Sequence, residues 1–177
     1  MKSAVGSQQS AVQKPVYIAL GSNLGDSSKI LSEAMARLQA YSTAPLLKSS
    51  LWQTSPVDCP PGAPPFLNAV VALTPGADET PERLLEKLQA LEKDFGRQVK
   101  TVFNEPRPLD LDLIAFGSET RTSARLTLPH PRAHERRFVL QPLNEIAPDL
   151  VLPGQTETVA ERLAGLRSEE RCERVDQ

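Results

Sequence analysis

The sequence predicts an α+β fold in which strands and helices follow one another in the order βαββαβ. Short apolar runs typical of strands alternate with two longer segments in which apolar residues recur at helical spacing. Turn-forming residues separate these segments, and five of the 16 prolines lie between residues 55 and 65. The chain of 177 residues, 40% of them hydrophobic, is long enough for one domain with a buried core.

The first elements are a strand, a loop and a helix. Val16–Leu20 is an apolar run that stops at the glycine-containing segment 21–26, as expected for a buried strand and a turn. Asp26 or Ser27 can cap the following helix, which ends by residues 43–45. The apolar positions of this helix are Ile30, Leu31, Ala34, Met35 and Leu38.

Two further strands and a second helix follow. Residues 46–54 and 66–73 have the composition of strands, and the proline-rich residues 55–65 predict a stiff loop that joins them as a hairpin. Thr80 is a suitable helix cap, and Pro81 suits the first helical turn. The apolar face of this second helix contains Leu84, Leu85, Leu88, Leu91 and Phe95.

A strand at residues 109–116 completes the order βαββαβ, which is that of the ferredoxin-like fold, an antiparallel sheet with helices packed on it. Residues 126–128 predict one more short strand. Residues 136–146 predict a helix with an interruption at Pro142, because proline lacks the N–H group that a helix interior needs. A last helix, and with it a C-terminal helical extension, is predicted by Val159, Leu163 and Leu166.

The ends of the chain are expected to lie outside the folded domain. We expect a single domain at residues 15–167, preceded by a disordered polar tail at residues 1–14. Residues 168–177 form a strongly charged C-terminal tail that is expected to fray. A functional site should therefore lie within residues 15–167.

Composition excludes several classes of protein. The chain has 20 Lys and Arg against 22 Asp and Glu, and its net charge of −2 argues against nonspecific nucleic-acid binding. No segment approaches the ~20 apolar residues of a membrane span. Cys59 and Cys172 match no metal or redox spacing, which indicates a reducing compartment. We expect a cytoplasmic monomer with no nucleic-acid or membrane partner.

Two aspartates in the predicted strand at residues 109–116 are the first sign of chemistry. Side chains alternate along a strand, so the leucines should face the core while Asp110 and Asp112 lie together on the opposite face. Like charges repel at this distance, and a divalent cation bound by both carboxylates would offset the repulsion. The alternative is an edge strand that displays charge against aggregation. The two aspartates alone favour neither interpretation.

Cationic side chains in neighbouring segments favour the metal interpretation. A carboxylate pair with Mg²⁺ among arginines suits a triphosphate substrate, because the metal and the guanidinium groups bind phosphate oxygens. The chain has no Walker-type glycine-rich loop, and the pair His130 and His134 lacks the glutamate of a zinc-protease motif. The cationic residues are Arg97, Lys100, Arg107, Arg125, His130, Arg132, His134, Arg136 and Arg137.

Five segments together resemble one known family, the 6-hydroxymethyl-7,8-dihydropterin pyrophosphokinases of folate biosynthesis. The resemblance runs over residues 16–153. Each segment alone is a modest signal, but all five in the family's order form a specific pattern. The segments are Tyr17–Asp26, Phe66–Val70, Arg107–Asp112, Leu128–Pro131 and Arg136–Leu143.

The resemblance implies a magnesium-dependent transferase. In this family the hydroxymethyl oxygen of the pterin attacks the β-phosphorus of ATP, pyrophosphate is transferred and AMP leaves. The resemblance further implies that Asp110 and Asp112 hold two Mg²⁺ ions, with ATP as co-substrate. Transfers of this kind depend on in-line positioning and charge neutralisation.

The resemblance also assigns the remaining residues of a site. The residues expected to act on the transferred phosphates are Arg97, Arg107, His130 and Arg136. The positions expected to bind ATP are Gln89, Glu92, Lys100, Leu113, Arg125 and Thr127. The pterin is expected to stack between two phenylalanines while polar groups bind its edge. The pterin positions are Thr54, Pro56, Val57, Phe66, Asn68 and Phe138.

The sequence departs from the family's pattern in the loop before Arg107. The family commonly has a basic residue followed by Trp-Gly-Pro there, where this chain has Phe103–Pro106. Val99 replaces a second loop arginine, and Pro131 replaces a tyrosine. These departures leave open a catalytically impaired relative, and the fold alone leaves open a small-molecule-binding module.

Overall fold

The structure is a computed structural model that describes residues 13–56, 58–99, 102 and 105–176. The predicted disordered tail falls mainly on residues 1–12, which lie outside the described residues. The strands are β1 (Val16–Ser22), β2 (Leu47–Lys48), β3 (Leu51–Thr54), β4 (Phe66–Leu73), β5 (Asp110–Phe116), β6 (Arg121–Thr122), β7 (Thr127–Leu128) and β8 (Cys172–Val175). The α-helices are α1 (Ser27–Leu38), α2 (Pro81–Asp94), α3 (Arg137–Ile146) and α4 (Val159–Gly165). The predicted α+β class is confirmed.

The strands form an antiparallel sheet in the order β5-β1-β4-β3-β8, with β2 also paired to β4. The two long inner strands, β1 and β4, contribute most of the sheet's buried residues. A separate hairpin of β6 and β7 lies beyond β5. Because β5 is an edge strand of the described sheet, one row of its backbone groups is available to other partners.

Local capping groups begin the two helices that the sequence predicts most strongly. The Asp26 side chain accepts a hydrogen bond from the Lys29 N–H at 3.1 Å, at the start of α1. The Thr80 hydroxyl accepts one from the Arg83 N–H at 3.2 Å at the start of α2, where Pro81 occupies the first turn. Both arrangements satisfy N–H groups that have no partner within the helix.

Two apolar layers lie on opposite faces of the sheet. On one face α1 and α2 pack against alternate residues of the inner strands, with Ile18 and Leu88 fully buried. On the other face α3 and α4 pack against residues such as Val70 and Ile114. This second layer covers only one end of its face. The other end stays open and carries polar side chains.

The predicted strand at residues 46–54 is interrupted in the structure. The Ser49 N–H donates to the Val70 carbonyl at 2.9 Å, but the Val70 N–H donates to the Ser49 hydroxyl at 2.9 Å. A side-chain oxygen thus replaces a backbone carbonyl in the ladder, and β2 and β3 become separate strands. The apolar pattern could not show this substitution.

The predicted helix break at Pro142 is absent, since α3 continues through this residue to Ile146. Proline removes one backbone hydrogen bond at this position. The helix nevertheless buries Val139, Leu140 and Leu143 against the sheet, and this packing offsets the lost bond.

The charged C-terminal segment was expected to fray, but Cys172–Val175 pairs with β3 as strand β8. Cys172 lies opposite Thr54 and Val175 lies opposite Leu51. This strand is short and rich in charged residues, so its composition favours a solvated chain end. In the structure, the free edge of β3 provides hydrogen-bond partners for its backbone. Cys59 and Cys172 form no disulfide bond in the described part of the chain. No helix in the described part of the chain is long and apolar enough to cross a membrane.

Candidate active site

The open end of the sheet carries the two aspartates predicted from strand alternation. Leu111 and Leu113 of β5 are 5% and 4% exposed and lie in the layer beneath α1 and α2. Asp110 and Asp112 alternate with them and lie on the opposite face, beside Gly21 and Ala19 of β1 respectively. The predicted placement of this carboxylate pair is confirmed.

Gly21 separates the carboxylates from the amide of Asn68. It lies opposite Asp110 on β5 and opposite Asn68 on β4. A Cβ atom at this position would come within 3.1 Å of the Asn68 Oδ1 atom and within 4.0 Å of the Asp110 Cβ atom. The close approach therefore favours glycine here, because a side chain would have to displace the Asn68 amide by a few tenths of an ångström.

Arg97 joins the end of α2 to the first aspartate. Its Nη1 atom donates to Asp110 Oδ1 at 2.7 Å and forms a second, very short ion pair with Glu92 Oε1. The same Glu92 oxygen accepts the Leu111 N–H at 2.7 Å, which the edge position of β5 leaves without a strand partner. Glu92 is 7% exposed, so this carboxyl group links α2, the following loop and β5.

Arg107 binds the other oxygen of the same aspartate. Its Nη2 atom lies 3.1 Å from Asp110 Oδ2, and its guanidinium carbon lies 5.3 Å from the centroid of the Phe66 ring. Its Nε atom is buried and has no hydrogen-bond partner among the described residues. Asp110 therefore receives one arginine on each carboxylate oxygen.

Asn23 fixes the backbone of Arg107, a role that the residue assignments had not included. The Asn23 side chain accepts the Arg107 N–H at 2.9 Å, and the Asn23 N–H donates to the Arg107 carbonyl at 3.2 Å. Its Nδ2 atom also donates to the Pro64 carbonyl at 3.4 Å. An asparagine directly after a strand was visible in the sequence, but its partners lie 84 and 41 residues away.

His130 and Arg136 reach the same face from the segment that follows β7. The His130 N–H donates to the Ile114 carbonyl at 2.8 Å, at the point where the pairing of β5 with β1 shifts register. The His130 Nδ1 atom accepts the Arg132 N–H at 3.2 Å, which leaves Nε2 to carry the proton. Burial, together with the charge of Arg136, lowers the pKa of His130. This imidazole is therefore a neutral donor at pH 7.

Charge and burial also shift two carboxyl groups in the site. Burial raises the pKa of Glu92 to about 7, although the Leu111 N–H and Arg97 oppose the shift. Burial and the negative charge of Asp110 raise the pKa of Asp112, while the arginines around it oppose this. Perturbed carboxyl groups that lie close together are typical of functional sites.

Two phenylalanines and the hydrogen-bonded side chains of Asn68 and Thr54 lie near the carboxylates. The Asn68 Nδ2 atom donates to the Thr54 hydroxyl at 2.7 Å, and both side chains are almost fully buried. Phe66 and Phe138 are half-buried. The guanidinium carbon of Arg136 lies 5.4 Å from the centroid of the Phe138 ring, just as Arg107 lies over Phe66. The structure thus gathers most of the predicted pterin positions next to the predicted phosphate positions.

The remaining predicted positions differ in burial and in partners. Arg125 forms an exposed ion pair with Glu86 at 2.9 Å, on the outer side of α2. Gln89 and Thr127 are exposed, and the Leu113 side chain is buried in the core. Pro56 is exposed beyond the end of β3. Val57 and Lys100, which were also predicted, lie outside the described residues.

The residues present fit a magnesium ion that is shared with a phosphate ligand. Mg²⁺ in such sites takes one or two carboxylates and completes its shell with water and phosphate oxygens. Asp110 and Asp112 provide that number, and the described residues contain no cluster of three or more His, Cys, Asp or Glu side chains. The two aspartates suit a metal that arrives with its substrate rather than a closed protein site.

Comparison with known proteins finds one family and several relatives. The family model of 7,8-dihydro-6-hydroxymethylpterin-pyrophosphokinase (HPPK) matches residues 17–148. The chain is 39% identical over 137 residues to the 2-amino-4-hydroxy-6-hydroxymethyldihydropteridine pyrophosphokinase of Haemophilus influenzae, covering 77% of this chain and 84% of that protein. It is 41% identical over 131 residues to the enzyme of the same name from Bacillus subtilis, covering 73% of this chain and 76% of that protein.

Other matches are to longer proteins. The folic acid synthesis protein of Pneumocystis carinii is 39% identical over 149 residues, which cover 84% of this chain and 20% of that protein. The crystal structure of wild-type Plasmodium falciparum HPPK-DHPS matches with a TM-score of 0.67 at 12% identity, covering 89% of this chain and 42% of that chain. At that identity the structural match supports the ferredoxin-like fold alone.

Proposed function

The chain belongs to the 7,8-dihydro-6-hydroxymethylpterin-pyrophosphokinase family and is a transferase, and we propose that it moves pyrophosphate from ATP to 6-hydroxymethyl-7,8-dihydropterin. In this reaction the hydroxymethyl oxygen attacks the β-phosphorus and its proton is released to water, the bond from that phosphorus to the α–β bridging oxygen breaks, and AMP leaves. The observation that carries the proposal is the carboxylate pair Asp110 and Asp112, which lies on one face of β5 beside the guanidinium groups of Arg97 and Arg107.

The two aspartates are proposed to hold the metal. Two Mg²⁺ ions bound there with ATP would neutralise phosphate charge and make the β-phosphorus more electrophilic. The Asp112 carboxylate is buried beside Asp110. A cation between the two would offset the cost of burying its charge and the repulsion between the two carboxylates. Asp110 must exchange its contacts with Arg97 and Arg107 before it can act as a ligand.

The arginines released by that exchange are proposed to bind phosphate. Arg97 and Arg107 both end on Asp110, so a triphosphate seated on the metal would lie within reach of both guanidinium groups. Arg136 lies on the other side, where its charge acts on Asp112 and Asp110. These groups would stabilise the charge that develops on the transferred phosphates, which is the main contribution a protein makes to phosphoryl transfer.

The Nε2–H group of His130 is proposed to donate a hydrogen bond to a phosphate oxygen. Its Nδ1 atom is already an acceptor for the Arg132 N–H, which fixes the tautomer and the ring orientation. A neutral donor binds phosphate without exchanging a proton during the reaction. The nucleoside contacts of Gln89, Glu92, Lys100, Leu113, Arg125 and Thr127 stay predictions.

The pterin is proposed to bind beside the carboxylates, between Phe66 and Phe138. Asn68 uses its amide N–H₂ group on Thr54 and can therefore offer Oδ1 to a ring N–H group. Arg107 and Arg136 lie over the two aromatic rings, so the stacking and phosphate regions adjoin. A pterin bound there would have its hydroxymethyl group next to the carboxylates that are proposed to bind the metal. Pro56 and Val57 stay predictions for the edge of the ring, as do a monomeric state and a cytoplasmic location.

A direct assay tests the proposed reaction. The protein is incubated with Mg²⁺, ATP and 6-hydroxymethyl-7,8-dihydropterin, and AMP and the pyrophosphorylated pterin are separated by anion exchange. We expect equimolar formation of the two products, and none without pterin or with excess chelator. AMP at the level of the no-pterin control would contradict the proposal. If the pterin still bound under those conditions, the chain would be an impaired relative or a binding module.

A further inference from the structure

Strand β5 contains one residue more than the part of β1 beside it. Leu113 lies opposite Ile18 of β1. The preceding residue of β1, Tyr17, lies opposite Ala115, so Ile114 is left without a Cα partner in the described strand β1. Ile114 and Ala115 both lie in the layer beneath α3 and α4, whereas Leu113 lies in the layer on the other face. Two consecutive side chains thus share one face, which identifies Ile114 as the extra residue of a β-bulge.

The bulge turns the Ile114 carbonyl away from β1. The backbone groups of successive residues in a strand point alternately to its two sides. The Leu111 N–H points to the outer edge of β5, where Glu92 Oε1 accepts it at 2.7 Å. At regular spacing, the carbonyl of Ile114 would therefore point toward β1. It instead accepts the His130 N–H at 2.8 Å, from the segment that follows β7.

The chain crosses from one face of the sheet to the other at this hydrogen bond. Leu128 of β7 is buried in the layer beneath α1 and α2, whereas Ala133 is buried in the layer beneath α3 and α4. Between these two residues the chain must pass the outer edge of β5, and the His130 N–H binds the Ile114 carbonyl there. Packing places the chain on either side of the crossing, and the bulge carbonyl fixes the residue between.

His130 is the residue that this crossing brings to the face of the two aspartates. Its imidazole lies near enough to Asp110 and Arg136 for both charges to shift its pKa, in opposite directions. Ile114 comes two residues after Asp112 in the same strand. One strand therefore carries both the proposed metal ligands and the backbone group that anchors the imidazole.

We propose that the β-bulge at Ile114 positions His130, because its outward carbonyl fixes where the imidazole meets the phosphates of ATP. Ile114 acts through His130 and is a positioning residue. The inference rests on the proposed function, since the phosphate contact of His130 is part of that proposal. The predicted pterin residues lie outside β5, so the effect should fall on MgATP more than on the pterin.

Deletion of Ile114 removes the bulge and leaves every other Cα pair of β5 with β1 in place. In the shortened strand Leu113 and Ala115 alternate regularly, so the remaining side chains keep the layers that they occupy now. Ile114→Ala is the matched control, because it removes the same buried side chain but keeps the bulge and its carbonyl. Any loss that both variants share belongs to packing.

Calorimetry with MgATP alone and with 6-hydroxymethylpterin alone compares the two variants. We expect the deletion to weaken MgATP binding about fivefold relative to Ile114→Ala, the effect of losing one positioning hydrogen bond. Pterin affinity should differ by less than twofold between the variants. Equal MgATP affinities in the two variants, or equal losses for both ligands in the deletion, would overturn the proposal.

Amide hydrogen exchange of the ligand-free protein, measured residue by residue with NMR, needs no activity. The His130 N–H should stay protected in Ile114→Ala, and the deletion should speed its exchange at least about tenfold relative to the amides of β1. A protected His130 N–H in the deletion variant would contradict the proposal. If the deletion variant does not fold, a backbone ester at His130 takes its place, since it replaces only the N–H by oxygen. The ester should show the same loss of MgATP affinity, and wild-type affinity would refute the role of this bond.

The two proposals fail in different ways. If the wild type binds MgATP but forms no AMP with the pterin, the reaction is wrong, while the positioning role is still measured by MgATP affinity and exchange. If the wild type forms AMP and the deletion variant matches Ile114→Ala in MgATP affinity and in exchange, the positioning role is wrong and the reaction stands.

Discussion

Asp110 and Asp112 lie on one face of β5, yet the protein surrounds their carboxylates differently. Asp110 receives Arg97 on Oδ1 at 2.7 Å and Arg107 on Oδ2 at 3.1 Å. Asp112 forms no ion pair with any described residue, and burial together with the charge of Asp110 raises its pKa. Under the proposed function, Asp112 is the carboxylate that most needs a cation, whereas Asp110 would have to exchange its arginines for one.

Replacing Asp112 with asparagine should separate metal binding from folding. We expect Asp112→Asn to lower turnover at least about a hundredfold, because bound metal supplies several kcal/mol of charge stabilisation. The thermal midpoint should not fall, since the substitution removes a buried charge that Asp110 repels. Steady-state AMP formation and thermal unfolding check both parts, with the exposed Asp149→Asn as a matched control. Wild-type turnover in Asp112→Asn would show that the pair only displays charge.

Arg97 should compete with cations for Asp110. We expect Arg97→Ala to bind Mg²⁺ about fivefold more tightly in the absence of ATP, because the competing guanidinium is gone. Turnover should nevertheless fall at least about tenfold, since a phosphate-binding cation is lost. Calorimetric titration of Mg²⁺ and the AMP assay measure the two effects. Arg83→Ala, which replaces an exposed arginine of α2, is the control, and unchanged metal affinity in Arg97→Ala would refute the competition.

Gly21 should be intolerant of a methyl group because of the Asn68 amide. A Cβ atom would lie 3.1 Å from Asn68 Oδ1, so Gly21→Ala must displace the atom proposed to accept from the pterin. We expect about a tenfold loss of pterin affinity with a much smaller change for MgATP. Calorimetry with each ligand measures this. Gly165→Ala, where a Cβ atom meets nothing within 4 Å, should bind both ligands normally. Equal losses for both ligands in Gly21→Ala would indicate a distorted sheet instead.

Phe138 should matter for pterin binding beyond its contribution to packing. We expect Phe138→Ala to weaken pterin binding at least about tenfold and MgATP binding less, because an aromatic stacking face is lost. Phe95→Ala is a matched control, since Phe95 also has an arginine over its ring, Arg37 at 6.0 Å, but packs elsewhere in the protein. Both variants should lose stability, which thermal unfolding records. A pterin affinity that falls equally in both would assign Phe138 a packing role.

Glu92 should make stability depend on pH in a defined direction. Its carboxyl group has a pKa of about 7 in the folded protein against an ordinary value of 4.5, so the folded state binds the proton more tightly. Proton binding by Glu92 therefore contributes to the free energy of unfolding. This contribution is complete below pH 4.5 and is lost as the pH rises through about 7. The loss should be of the order of 2 kcal/mol. Urea unfolding between pH 5 and pH 8 measures it against Glu92→Gln, which lacks this titration. A difference between the two proteins that does not change with pH would exclude the effect.

The sequence predicted the core elements because their signals are local. Capping residues such as Asp26 and Thr80 act on N–H groups three positions away, and apolar periodicity marks the buried face of each helix. Strand alternation likewise placed Asp110 and Asp112 together on one face before any contact was known. One prediction failed at Ser49, where a side-chain hydroxyl accepts a hydrogen bond in place of a backbone carbonyl. Another failed at β8, where the distant edge of β3 provides backbone partners for a charged segment.

What the sequence by itself determined is the set of chemical groups, the βαββαβ order and the side of β5 on which the aspartates lie. Only the tertiary structure decided which groups meet. It placed the Glu92 carboxyl on the Leu111 N–H, brought Asn23 to the Arg107 backbone and set the C-terminal strand against β3. These contacts join residues far apart in the chain, and their partners are unpaired backbone groups at sheet edges and loops. Such groups become available only once the strands have been ordered, so no local pattern encodes them.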